Sequence, residues 1–178
     1  MNFYLITVST KGEPYDLART SEQFGFKLIT LEPEKGWEGF STKPLEVKKF
    51  IADKNDSDIV CFVDGYDVCV SNDIDYVIKE FKKFNSDFVV SAEVNCYPDK
   101  YKSKIDAISP NEKNIYLNIG AYMGYVKSIK SFLEWKSINE IKKLCQYGGD
   151  QAYLMEYYIA NHDKIDIKLD KESSIFQN

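Results

Sequence analysis

The chain has 178 residues, 44% of them hydrophobic and 29% charged, the size and composition of one folded domain rather than a disordered chain. Its net charge of −5 supplies no broad basic footprint for nucleic acid. An anionic ligand would therefore have to be held locally, by a metal or by backbone dipoles.

The N-terminal stretch MNFYLITVSTKG lacks a basic leader and an apolar run long enough to span a membrane, so a soluble, cytoplasmic domain is expected. Phe3 to Val8 reads as a first strand opening into a loop. Residues 15 to 24 have mixed helical character, and Phe26 to Leu31 form a second short strand. Glu32 to Thr42, with two Gly and one Pro, is a loop. Pro44 fits the first turn of a helix with Val47, Phe50 and Ile51 on one face. Ile59 to Val63 is an unbroken β-branched and aromatic run, as in a strand buried on both faces. Ile74, Val77, Ile78 and Phe81 fall at i, i+3, i+4 and i+7, an amphipathic helix started near Ser71 to Asp73. Phe88 to Ala92 is another buried strand, ending at Glu93. Residues 94 to 114 read as a long loop without periodicity. Ile115 to Val126 is strand-like but interrupted by Gly120 and Gly124. Ile129 to Trp135 and Tyr153 to Tyr158 look helical, and Ile165 to Leu169 returns to strand. This βαβαβαβ order predicts an α/β fold, a mostly parallel central sheet flanked by helices, in a single domain over 1–178.

The central strand ends in two carboxylates three residues apart, Asp64 and Asp67. Ligands of open α/β sheets bind beyond the carboxyl ends of such strands. Two acids there are costly to desolvate together unless a hard divalent cation joins them. The same pattern equally fits one Asp capping the next helix and the other standing in solvent. Cys61, Cys69, Cys96 and Cys145 have no CxxC spacing and are expected as buried thiols.

Six segments together resemble the glycosyltransferase domain of the procollagen lysyl hydroxylases and related collagen glycosyltransferases, some encoded by giant viruses. LITVST matches the opening strand and loop, FVDGYDV the metal motif, and SAEVNCYPD a segment with Cys-aromatic-Pro. YLNIGAYMGY matches a Leu-Asn-x-Gly segment, GGDQAY an Asp-Gln segment, and LDKESSIFQN the closing strand. The resemblance implies a GT-A-type, Rossmann-like fold and a metal-dependent hexose transfer from a UDP-sugar, UDP-glucose or UDP-galactose. The acceptor it implies is a hydroxyl such as that of hydroxylysine or its glycoside in a collagen-like peptide. It implies that Asp64 and Asp67 bind Mn2+ or a similar cation and that Tyr66 stacks on uracil. Val8, Ser9 and Thr10 fall where the family's first loop lines the nucleotide pocket, although strand-end packing explains them equally. Lys43 could meet a phosphate or simply be a solvated residue at a helix start. Glu93 and Asn118 match positions facing the donor sugar. Asp150 and Gln151 match a pair near donor and acceptor, Asp150 being also a natural N-cap for the helix carrying Tyr153 to Tyr158.

The chain departs from the family in three places. Gly148 and Gly149 stand where acids usually precede the Gln, and Tyr97 stands for a Trp. The His-Gly-Asn segment that supplies a third metal ligand in the family falls beyond Asn178. The single histidine, His162, does not match that ligand and is expected at the surface. A catalytically degenerate nucleotide-sugar binding module is the competing reading.

Overall fold

The backbone of the chain is ordered around one six-stranded sheet in a computed structural model that describes residues 1–177. The strands β1 (Phe3–Val8), β2 (Leu28–Leu31), β3 (Ile59–Val63), β4 (Phe88–Glu93), β5 (Tyr116–Tyr125) and β6 (Ile167–Asp170) lie in the order β2-β1-β3-β5-β4-β6. β1 is parallel to β2 and β3, and β4 to β6, whereas β5 is antiparallel to both β3 and β4. The sheet is thus mostly parallel, as expected, but the uniform crossover series stops at β5. The ends of β1, β3 and β4 and the start of β5 consequently share one edge.

β3 is buried along its whole length, and its alternation divides the core. Val60 and Phe62 face a layer built from α2 (Thr42–Ile51), α5 (Val126–Glu134), α6 (Ile138–Gln146) and α7 (Gly149–Asn161). Ile59, Cys61 and Val63 face Leu17 of α1 (Tyr15–Gln23), Phe81 of α3 (Ile74–Lys83) and Phe176. The strand pattern that is apolar on both sides arises because both faces are covered. α3 begins where its period begins, Asp73 capping it by accepting from the Tyr76 N–H at 2.8 Å.

Three expectations are corrected, and one helix is added. Residues 94–114 are not one loop: they contain a 3-10 turn at Asp99–Tyr101 and the helix α4 at Lys102–Ile108. Within residues 99–108 only Tyr101 and Ile105 are buried, too few inward residues to show a helical period. The added helix is α6, which a capping box of Ser137 with Glu140 starts. The closing strand ends at Asp170, and residues 171–177 form no strand. Instead the Asp170 carboxylate accepts from the N–H groups of Ser174, Ile175 and Phe176 at 2.7–2.8 Å and folds the chain back against the sheet. Finally, Cys61, Cys96 and Cys145 are buried but Cys69 is exposed. Among the described residues no helix is long and apolar enough to cross a membrane.

Candidate active site

Asp64 follows the last residue of β3 and keeps one rung of the ladder, its N–H donating to Gly120 O at 2.7 Å. The chain then turns through Gly65, where a Cβ would lie 2.6 Å from Pro14 Cγ and 3.0 Å from Thr7 Oγ1. Only a glycine lets the backbone pass there, and the turn carries Asp64, Tyr66 and Asp67 out at the sheet edge. Gly120 has a similar function on the facing strand. A Cβ on it would stand 2.8 Å from Asn118 Oδ1 and 3.1 Å from Asp64 Oδ2. Asp64, Asp67, Asn118 and Gly120 line one cavity of about 530 Å³, walled also by Val63, Cys69 and Phe176.

Lys43, the second residue of α2, reaches into this site. Its Nζ lies 2.8 Å from Asp64 Oδ1 and 2.9 Å from Asp150 Oδ2. Burial works against its charge, but Asp150 and Asp64 outweigh burial and hold the ammonium above the usual lysine value. Burial is the largest influence on Asp64 and pushes its carboxyl up, against the pull of Lys43; Asp150 and Asp67 add to the rise. One ammonium thus faces two carboxylates, with Asp67 near enough to act on Asp64, and Asp150 Oδ2 is buried without a well-aligned hydrogen bond despite its ion pair. The site lacks positive charge, and burial makes that shortage expensive.

The remaining expected site residues fall into three groups. Tyr66 is 62% exposed, so its ring is open to a ligand, while its hydroxyl lies 2.6 Å from the buried Ser9 Oγ. Asn118 Oδ1 accepts from the Gly120 N–H at 2.8 Å. Val8 is packed in the core and Thr10 is exposed beyond it; no direct bond joins either to the acids. Glu93 sits at the same sheet edge on β4, two strands from β3 in the sheet order, with burial raising its carboxyl.

The Asp-Gln pair differs from expectation. Asp150 is not the N-cap of α7; Gly148 occupies that position and Asp150 lies inside the first turn. Gln151 is buried, and its amide is engaged by the backbone of β5. The glycines before the pair are fitted to their surroundings: a Cβ at Gly148 would lie 2.4 Å from Pro98 Cγ, and Gly149 has φ of 67°. His162 is exposed at the end of α7. What sequence reading missed is the role of Gly65 and Gly120, whose placement beside carboxylate and amide residues at strand ends was the available signal.

The donors suit a hard cation. Asp64 and Asp67 offer carboxylate oxygens without His or Cys, and the missing Cβ of Gly120 leaves space beside Asp64 Oδ2. Among the described residues no group of three or more His, Cys, Asp or Glu side chains converges on one point, so the remaining coordination positions would fall to water and to a ligand's own oxygens.

A family model described as "PLOD GT domain" matches residues 1–178. Procollagen-lysine,2-oxoglutarate 5-dioxygenase 1 of Gallus gallus is 29% identical over 99% of this chain and 25% of its own length. The human multifunctional procollagen lysine hydroxylase and glycosyltransferase LH3 is 27% identical over 98% of this chain and 24% of its own. The chain thus spans about a quarter of these relatives. Among solved structures, the galactosyltransferase LgtC in complex with donor and acceptor sugar analogs superposes with a TM-score of 0.56 at 15% identity, covering 93% of this chain and 72% of that one. The fold is therefore of the GT-A type, and the chain belongs to the PLOD GT-domain family of glycosyltransferases.

Proposed function

We propose that this domain transfers a hexose from a UDP-sugar to a hydroxyl acceptor with the help of a divalent cation such as Mn2+. The observation that carries the reading is the cavity at the sheet edge in which Asp64, Asp67 and Asn118 meet, beside a lysine shared by Asp64 and Asp150. Asp64 and Asp67 would hold the cation. When bound, it supplies electrostatic stabilisation of the diphosphate leaving group.

The chain's own residues account for the rest. The open ring of Tyr66, steadied through Ser9, supports a nucleobase. Lys43 keeps its positive charge at the rim of the acids, within reach of a phosphate brought in with the cation. Asn118, its carbonyl oxygen committed to Gly120, has its amide nitrogen for a sugar hydroxyl, and Glu93 offers a carboxyl on the side of β4. Asp150 sets the position of Lys43.

The names of the relatives point to hydroxylysine or its glycoside in a collagen-like chain as the acceptor. The test is a donor panel: UDP release from UDP-glucose and UDP-galactose, with and without such acceptors, in manganese and in chelator. Acceptor-stimulated, manganese-dependent release supports transfer. The absence of a third acidic or histidine ligand among the described residues favours a second reading, a nucleotide-sugar binding module, and manganese-dependent UDP binding without turnover on any donor would establish it.

A further inference from the structure

The ladder between β4 and β5 breaks at the site. Val90 pairs with Tyr122, but the next residue, Ser91, pairs with Asn118. Residues 119–121 of β5 therefore bulge away from β4, and this is the segment whose Gly120 carbonyl holds the Asp64 N–H on the other side. A buried backbone stripped of its ladder partners needs substitutes. Gln151 reaches in from α7 to supply one at Ile119 and to bond Leu117, which itself stays in register with Ala92. Its Oε1 accepts from the Ile119 N–H at 2.7 Å, and its Nε2 donates to the Leu117 carbonyl. The two bonds lie on either side of Asn118.

We infer that Gln151 is a positioning residue: its primary amide clamps the start of the β5 bulge on either side of Asn118 and so places Asn118 for the donor. This rests on the transferase reading proposed above. A side chain with one donor and one acceptor at that reach is required. Glutamate would set an acceptor against the Leu117 carbonyl, and the flipped amide would set NH2 against the Ile119 N–H. Residues one apart on a helix diverge by about 100°, so the same turn of α7 sends Asp150 to Lys43 and Gln151 into the strand. One helix start thereby fixes both the charge and the floor of the site.

The experiment combines kinetics with amide hydrogen exchange. Gln151→Met keeps the length and removes both bonds; Gln151→Glu keeps the shape and loses the donor. Each is expected to lower kcat/KM for the UDP-sugar about tenfold, mainly through kcat, while UDP affinity stays within about twofold because Asp67 and Tyr66 are untouched. Asn118→Ala and Asn118→Ala/Gln151→Met should be equally impaired, since the clamp acts through Asn118. Additive losses, or both Gln151 variants within about twofold of wild type, would overturn the inference. Should a variant fail to fold, the wild-type protein decides: its Ile119 amide, outside the β4 ladder, is expected to be strongly protected, and rapid exchange there overturns the clamp. If the wild-type chain releases no UDP from any donor, the transferase reading is what has failed, and Ile119 protection still reports on the clamp separately.

Discussion

The hydroxyl of Tyr66 lies 2.6 Å from Oγ of Ser9, although the two residues are 57 positions apart. Ser9 is buried at the end of β1, and it also accepts from the Lys11 N–H at 3.2 Å. An exposed aromatic ring is thus steadied at its polar end while its faces stay open.

If that ring carries the nucleobase, Tyr66→Ala should weaken UDP binding by about 1–3 kcal/mol, the usual value of a base-aromatic stack. Tyr66→Phe keeps the face and loses only the tether, a loss of about 0.5–1.5 kcal/mol, and Ser9→Ala should match it. Calorimetry on the three variants checks this; equal losses in Phe and Ala would assign the effect to the hydroxyl instead.

Gly65→Ala should destabilise the fold by about 1–3 kcal/mol, the usual range for overpacking, because the added Cβ meets the rigid ring of Pro14 at 2.6 Å. The turn bearing Asp64 and Asp67 shifts with it, so UDP affinity falls as well. Urea titration and UDP binding measured on the same preparation test both halves, and an unchanged midpoint would contradict the packing argument.

The cation should be needed for UDP binding. Removing it with a chelator, or replacing Asp67 with Ala, is expected to cost at least about tenfold in affinity, which is about 1.4 kcal/mol. Asp67 is exposed and forms no ion pair with another described residue, so its loss leaves the fold intact and thermal melting should not change. Equal UDP affinity in chelator and in manganese would remove the cation from the site.

Glu93 gives a pH test. Burial raises its carboxyl above the ordinary glutamate value of 4.5, so the folded chain holds that proton more tightly than the unfolded one. Its contribution to stability is most favourable below the unfolded value and declines as pH rises towards the folded value; above that, the ionised group is a net cost. Glu93→Gln should therefore raise the urea midpoint at neutral pH and lose that advantage near pH 4, while lowering transfer. A variant less stable than wild type at neutral pH would show that the carboxylate is needed by the fold.

Thiol chemistry reports on the cavity without any assay of turnover. Burial pushes Cys61 and Cys145 up to about 12 and also raises Cys96, whereas Cys69 is exposed and lines the same cavity as Asp64 and Asp67. Brief alkylation of the native protein should modify Cys69 alone, and UDP with manganese should slow it. Peptide mass spectrometry would show otherwise if the buried thiols reacted at a similar rate.

Much of this architecture was legible in the residues themselves. The run Ile59 to Val63 is apolar at every position because both faces of β3 are covered, and Asp64 marks where the cover ends. The period of Ile74, Val77, Ile78 and Phe81 marks a helix with one inward face. Such patterns record how each residue meets its surroundings, a local property written in side-chain chemistry. The direction of β5 is not local: a strand has the same pattern whichever way its neighbours run, so the reversal that brings Asn118 and Gly120 beside Asp64 was decided by tertiary pairing. The same holds for Lys43, which as a sequence is one more lysine before a proline and becomes a site residue only because α2 and α7 bring Asp64 and Asp150 within 2.8 and 2.9 Å of it. Gln151 could be matched to a motif, but its two bonds go to backbone groups more than 30 positions away, beside a bulge that no spacing announces. Periodicity reveals which face is buried; only the packed chain determines what lies across from it.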